Sequence, residues 1–566
     1  MASVTVSWQE VAEAKRLAIL DAIPEKWRIR ECIPPATELP DVTGNYIQGF
    51  LSPREIEITE ADAVTITKQT SSGNWSAVEA TEAFCHRAAI AHQLVNCLHE
   101  VFFEDAIQVA KELDAYFGAT GKPMGPLHGL PVSLKDQFHV KGVETTMGYV
   151  GWVGTFEGKR DDPRAKMAES ELVRELRRAG AIVFCKTSVP LTLMAGETAN
   201  NIIGYTWNPK NRHLSCGGSS GGEGALIALR GSPAGFGTDI GGSIRVPAAF
   251  NGIFGLRPSA GRMPYEGAAN SIDGQNTILS VVGPMGTSAG SLKLLFKAIL
   301  SQEPWLHDPL ALAMPWRDDV EMQTQSLIEA SAKDPSLLTF AIMRHDSVVQ
   351  PHPPVRQALM LMEQTLKNRG HQVIEWCPQN CQVGHEIADK AYSLDGGEDL
   401  TDQIALSGEG KIPQCFIQTG KHWKAREIAA LNVQKRLYQK MYMDYWNSTD
   451  QLTGTGRPVD AIICPVAPHA AVIPGRYRHV GYTSFVNVLD YTSAVIPVTN
   501  ADKVVHRIGN PIEYLSDIDE QVQSEYDAEM YHGAPVGIQL IGRRLEEEKI
   551  LTMADFISRE LENALK

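Results

Sequence analysis

The sequence predicts one large α/β domain, a mixed β-sheet flanked by helices. Three observations predict it. Apolar runs of strand length, at residues 130–134, 181–185 and 461–464, alternate with amphipathic stretches of helical length. The helical pattern over 170–178 meets the strand pattern at 181 through Ala179-Gly180 alone, a step of the layered α/β kind. No convincing linker divides the 566 residues, of which 43% are hydrophobic and 21% charged, the balance of a soluble globular chain.

Taken in order, residues 1–58 read as an N-terminal arm and 59–566 as the main domain. Ser7 and Glu10 suit a capping box for a helix reaching about residue 19, and the proline-rich stretch 33–40 ends regular structure. The arm is expected to wrap the body or a partner subunit. Helices follow at 61–71, 76–92 and 106–117. The second opens on a Ser76–Glu79 capping box and puts Cys85 on a core stripe with Val78 and Ala88 or Ala89. The strand at 130–134 leads directly to Lys135, where position alone favours a snorkelling surface lysine. Lys186, at the end of the strand at 181–185, is its rival for any chemical role. Residues 247–254 continue inward, 255–258 read as a turn, 281–285 as a strand and 291–300 as a helix. Later strands are expected at 338–343, 373–376, 461–464 and 535–541, with helices at 355–367 and 424–443. Between them, 378–422 is rich in Gly and Asp and reads as irregular, a stretch of the kind that covers a site.

Bulk properties exclude several classes. A net charge of −15 argues against nucleic acid as the main partner, though not against a small polar substrate. Glu10 and Glu13 stand where a signal peptide would be apolar, and no run is long enough to span a bilayer, so an intracellular, cytoplasmic protein without a membrane partner is expected. The 9 cysteines, an odd number, fit a reducing compartment, and Cys377 with Cys381 lacks the second pair that a zinc site needs.

The most unusual stretch is 217–245. It carries Gly217-Gly218-Ser219-Ser220-Gly221-Gly222 and Gly241-Gly242-Ser243, separated by a buried helical turn at 225–229 and a short strand at 234–240. A flexible linker would not be interrupted by apolar elements. A phosphate loop would need Lys and Ser/Thr after the last glycine, where Glu223 stands, and no strand–GxGxxG–helix order is present. Two glycine loops around serines can build a nucleophile with backbone N–H donors. The base is open at this point. Among 16 histidines, His128, His139, His213 and His532 lie near glycine or other motifs, but no GxSxG elbow accompanies Ser219 or Ser243. A lysine made neutral by burial is the other candidate.

Three segments carry a resemblance: Gly129-Leu130-Pro131-Val132-Ser133-Leu134-Lys135-Asp136, then Gly217–Gly224, then Gly237-Thr238-Asp239-Ile240-Gly241-Gly242-Ser243-Ile244-Arg245. Together with Gly255-Leu256-Arg257-Pro258, Gly283-Pro284-Met285 and Ala534-Pro535-Val536-Gly537-Ile538-Gln539 they resemble the amidase signature family from about residue 60 onward, and within it the fungal acetamidases. The resemblance implies a Ser-Ser-Lys triad: Ser243 the nucleophile, Ser219 the bridge behind a cis Gly218–Ser219 bond, and Lys135 the base and then the acid. It implies an oxyanion hole from the N–H groups of Ile240, Gly241, Gly242 and Ser243, and gives Lys186 no acid–base role. It places Leu193, with its carbonyl, in an acyl-site segment of Thr192, Leu193 and Met194. Ser220 would bond near Lys135, and Asp239 with Arg245 would be a supporting ion pair. Tyr149 and Trp152 either border the pocket or sit in the core.

The implied reaction is hydrolysis of a small amide through an acyl-enzyme, with no metal and no organic cofactor. Short aliphatic amides are favoured. Carbamates, esters and fatty amides would use the same machinery, and a homodimer is the implied assembly. An amidotransferase subunit would need stable partners and a basic face, against which the acidic balance argues. A non-enzymatic module would have lost Lys135, Ser219 or Ser243, and all three are present.

Overall fold

Residues 6–377, 380–507 and 513–565 are described by a computed structural model. Residues 1–5 of the arm and 378–379 of the irregular stretch lie outside them. At the centre is an 11-stranded sheet. Its strands are β1 (Leu98–Val101), β2 (Pro131–Lys135), β3 (Ile182–Thr187), β4 (Ala234–Asp239), β5 (Phe254–Arg257), β6 (Val281–Gly286), β7 (Thr339–Ile342), β8 (Gln372–Glu375), β9 (Ala461–Pro465), β10 (Ser493–Asn500) and β11 (Pro535–Ile541). The spatial order is β1-β3-β2-β4-β6-β5-β10-β11-β9-β7-β8. β2 runs parallel to β3 and β4, and β7 parallel to β8 and β9, while the strands from β4 to β9 pair antiparallel. The sheet is therefore mixed, as the sequence predicts, and helices flank it in one large α/β domain.

The helices that bear on function are α1 (Trp8–Asp21), α2 (Pro53–Glu60), α3 (Ala77–Val95), α4 (Gly221–Ala228), α5 (Arg245–Asn251), α6 (Cys381–Ala391) and α7 (Gly481–Leu489). α1 starts where the Ser7–Glu10 box predicts, with both reciprocal bonds made. α2 starts on a second such box, Ser52 with Glu55, and runs across residue 58. α3 ends on Asn96 in the left-handed conformation, at φ 58°.

The arm lies on the body of its own chain. Lys15 bonds Glu100 at 2.5 Å and Glu144 at 2.7 Å, Arg212 donates to the Leu39 carbonyl, and Ile23, Trp27, Val42 and Ile47 are buried in the main core.

Two expectations are corrected, and one strand of the sheet comes in addition. Residues 255–257 are not a turn but part of β5, between β6 and β10, because Gly255 lets α5 approach: a Cβ there would stand 2.9 Å from Ala248 Cβ. β10 is a central strand whose pattern Pro497 disguises, and the register slips between Pro497 and Thr499 to accommodate the missing N–H. The stretch after residue 380 is not irregular throughout, since it forms α6 and a second helix, Glu398–Ala405.

Ile47→Ala should cost about 2–5 kcal/mol, the range for truncating a fully buried aliphatic side chain. Urea unfolding of the two proteins measures it, and an unchanged midpoint would mean that the arm is not part of the cooperative unit.

Candidate active site

The site is assembled at the end of β4. All six of its residues, Ala-Gly-Phe-Gly-Thr-Asp, are buried. The glycines are needed for close approach: a Cβ on Gly235 would stand 2.6 Å from the Ser133 carbonyl oxygen, and one on Gly237 would stand 2.6 Å from Ser220 Oγ. β4 can therefore lie tightly between β2 and the start of α4. The parallel pairing of Ser133 with Gly235 and Leu134 with Phe236 carries Lys135 level with Gly237, next to Thr238.

Lys135 is not on the surface, as its position suggested, but fully buried. Its Nζ lies 2.7 Å from Ser219 Oγ and 2.7 Å from Thr238 Oγ1, and Thr238 donates onward to Gln137 Oε1 at 2.7 Å. Burial lowers the lysine pKa to about 7, against the opposing pull of Asp239 and Glu223. Glu223, bonded to Ser133 and Thr187, is itself pushed up to about 8 by burial, despite those bonds. Lys186, the rival, is bound to Asp136 at 2.7 Å and to the Glu144 carbonyl and Thr145 Oγ1. It holds structure and reaches neither serine loop.

Ser219 is buried and the Gly218–Ser219 bond is cis. Ser220 N–H donates to the Ser243 carbonyl at 3.1 Å, so the two serine loops are tied to each other. Ser220 Oγ meets the Thr238 backbone at 3.4 Å rather than Lys135.

The turn carrying Ser243 is wound around Asp239. That carboxylate accepts from Gly242 N–H at 2.8 Å, Ile244 N–H at 3.2 Å, Asn487 Nδ2 at 2.8 Å, and Arg245 Nε and Nη2, both at 3.0 Å. Arg245 also donates to Gln539 Oε1, the Thr483 carbonyl and Asn487 Oδ1. Both members of the pair are fully buried. Burial alone would raise the Asp239 carboxyl, but Arg245 beside it holds it well below the usual carboxylate range. Gly242 has φ +132°, where a side chain would be strained and would meet Thr483. Since the Gly242 N–H is spent on Asp239, three of the four implied donors are left. The N–H groups of Ile240, Gly241 and Ser243 meet no protein acceptor among the described residues.

Ser243, partly exposed, opens into a cavity of 430 Å³ also lined by Leu193, Met194, Gly218, Gly241, Phe416 and Tyr477. Ser219 and Lys135 lie behind its wall. The Leu193 carbonyl already accepts from Ala195 N–H at 3.1 Å, and Thr192 and Leu193 both have positive φ, 73° and 61°. Tyr149 and Trp152 belong to a buried cluster with Met147 and Leu191, not to the cavity. A larger cavity of 580 Å³ shares Ile240 with this one but touches none of Lys135, Ser219 and Ser243.

Several groups at the site escaped sequence reasoning: Thr238, Asn487, Thr483, and His385, Asp389 and Tyr392 on or just after α6. Thr238 was legible in principle, since it lies inside the Gly237–Arg245 motif. The others come from distant segments with no motif of their own. His128, His139, His213 and His532 are absent from the cavity lining, whereas His385 lines it. Among the described residues one group has metal-ligand spacing, Glu171, Glu175 and His307, and it includes no member of the serine site.

The chain belongs to the Amidase family, whose model it matches over residues 79–551. It is 46% identical to an acetamidase of Aspergillus oryzae over 561 residues, 98% of this chain and 99% of that one. It is 44% identical to an acetamidase of Emericella nidulans, covering 99% of each. Among solved structures, a fatty acid amide hydrolase superposes with a TM-score of 0.87 at 33% identity, covering 98% of this chain and 95% of that one. No helix among the described residues is long and apolar enough to cross a membrane.

Arg245→Ala would strand the buried Asp239 charge. A loss of about 3–5 kcal/mol is expected, the usual cost of removing one partner of a buried pair. Chemical denaturation checks it, and a loss under about 1 kcal/mol would show that the carboxylate finds other compensation.

Proposed function

We propose that this chain hydrolyses small carboxylic amides to acid and ammonia or amine through an acyl-enzyme on Ser243. That it is an amidase, a hydrolase of linear amides, stands on its family and on relatives matched nearly end to end. The residue roles and the acyl group are the further step. The observation that carries the roles is a buried Lys135, with a pKa of about 7, at 2.7 Å from Ser219 Oγ.

Neutral Lys135 takes the proton of Ser219 while Ser219 takes that of Ser243. Ser243 Oγ then attacks the amide carbon. The free N–H groups of Ile240, Gly241 and Ser243 receive the developing oxyanion, and Gly242 holds the loop through Asp239. Collapse of the tetrahedral intermediate breaks the C–N bond, and the departing nitrogen takes the relayed proton back from Ser219 and Lys135. Water enters by the same route, its proton passing to the relay, and releases the acid with Ser243 restored. The acetamidase likeness favours short aliphatic amides. A second reading, longer acyl groups, carbamates or esters, is favoured by the cavity: 430 Å³ falls within the ~300–1,000 Å³ of sites that enclose drug-sized ligands, and acetyl needs far less. We extend the proposal to a cytoplasmic homodimer that uses no metal or organic cofactor, which light scattering and treatment with a chelator would test.

Ser243→Ala should lower kcat by at least about 10³-fold with the fold intact, and a sulfonyl fluoride should label Ser243. Retained turnover, or labelling only elsewhere, sinks the nucleophile assignment. A series of amides of increasing acyl length, with one carbamate and one ester, decides the substrate class.

Only the neutral lysine can accept a proton, so kcat/KM should fall about tenfold per pH unit below the lysine pKa of about 7. A profile flat down to pH ~5 would rule out a lysine base.

A further inference from the structure

We propose that Tyr392 is a positioning residue for the oxyanion, acting through the Ile240–Gly241 peptide. The inference rests on the reading of Ser243 as nucleophile given above. Tyr392 closes the C-terminal end of α6 and faces the cavity that holds Ser243. Its phenol oxygen lies 2.6 Å from the Ile240 carbonyl oxygen. A carbonyl can only accept, so the phenol donates.

The Ile240 carbonyl and the Gly241 N–H belong to one planar unit. A donor on the oxygen fixes the rotation of that plane. It also polarises the amide, which makes the N–H at the other edge a stronger donor. That N–H meets no protein acceptor among the described residues, and Gly241 lines the cavity. The next peptide is pinned in the same manner: Thr483 Oγ1, from α7, donates to the Gly241 carbonyl at 2.6 Å. Its N–H, on Gly242, is consumed by Asp239 at 2.8 Å. Two successive peptides are thus held on their carbonyl sides by side chains from α6 and α7, and only the one bound by Tyr392 keeps its N–H for a ligand. The fit is close, since a Cβ on Gly241 would stand 3.1 Å from the phenol oxygen. Burial, with Asp239 nearby, pushes the phenol pKa far up, so the group stays a donor at every pH where the enzyme works.

The test compares Tyr392→Phe with the unaltered enzyme on one amide substrate. It adds binding of a trifluoromethyl ketone, whose adduct with Ser243 carries the oxyanion, and of an unreactive ground-state amine analogue. A fall of about tenfold in kcat with KM changed less than about twofold is expected, a fraction of what losing a whole oxyanion donor costs. The ketone should bind about tenfold more weakly and the amine analogue unchanged. Equal weakening of all three ligands would mean a general packing role, and kcat within twofold of the parent enzyme would overturn the proposal outright. Should the variant not fold, 3-fluorotyrosine at position 392 has nearly the same shape and is a stronger donor. Tighter ketone binding then supports the role and unchanged binding refutes it. Ser243→Ala separates the two layers: turnover retained there removes the underlying reading, whereas turnover lost there with an unaffected Tyr392→Phe removes only the role of Tyr392.

Discussion

The buried carboxylate of Asp239 is the point on which the site depends. It ends β4, and the chain then turns back over it through Gly242 and Ile244 to Arg245, so one side chain organises the whole loop that presents Ser243. An isolated carboxylate could not stay ionised there, because its desolvation would exceed anything two N–H groups return. Arg245 makes the arrangement possible. It offers a planar fork to Asp239, and its remaining donors are taken up by Gln539 on β11 and by Thr483 and Asn487 on α7. The loop is thereby fastened to a strand and a helix far away in the chain. The fastening of the loop accounts for the presence of Asp239 and Arg245 in a motif centred on serine.

The same pair answers a second requirement. In the proposed mechanism Lys135 must be neutral to accept a proton, yet Asp239 lies close enough to favour its charged form. An unpaired carboxylate would keep the lysine protonated. With Arg245 against it, the net charge of the loop is near zero and the desolvation of Lys135 prevails. The opposing pull of Glu223 is limited in turn, because burial drives the pKa of that carboxyl up to about 8. The lowered pKa of Lys135 is thus a property of a buried neighbourhood, which rests on the closely packed glycines of β4.

The cavity wall has a different origin from the catalytic floor. β2, β4 and the start of α4 supply the floor from contiguous motifs. α6 and the segments around Phe416 and Tyr477 supply the wall, and they bring Tyr392 and His385 to it from more than a hundred residues beyond Ser243, while Thr483 on α7 braces the Gly241 carbonyl. The proposed catalytic groups and the cavity lining therefore come from separate parts of the chain.

The sequence by itself determined the fold class, most strands of the sheet, the capping box at Ser7, the N-cap at Ser76, and the segments that form the floor, because each leaves a local mark: a period, a cap or a glycine spacing. It also marked Asp239 and Arg245 as a pair. Position alone placed Lys135 at the surface, since the end of a strand is usually near solvent and only the parallel neighbours on both sides of β2 bury it. It missed β10, where Pro497 breaks the alternation and the bulge that tolerates it exists only against β11. It offered Gly242 as an oxyanion donor, though the N–H turns to Asp239 once the loop closes. Tyr392 could not be read at all. Its role lies in one hydrogen bond to a carbonyl 152 positions away, and a contact between segments so distant leaves no periodic trace in either.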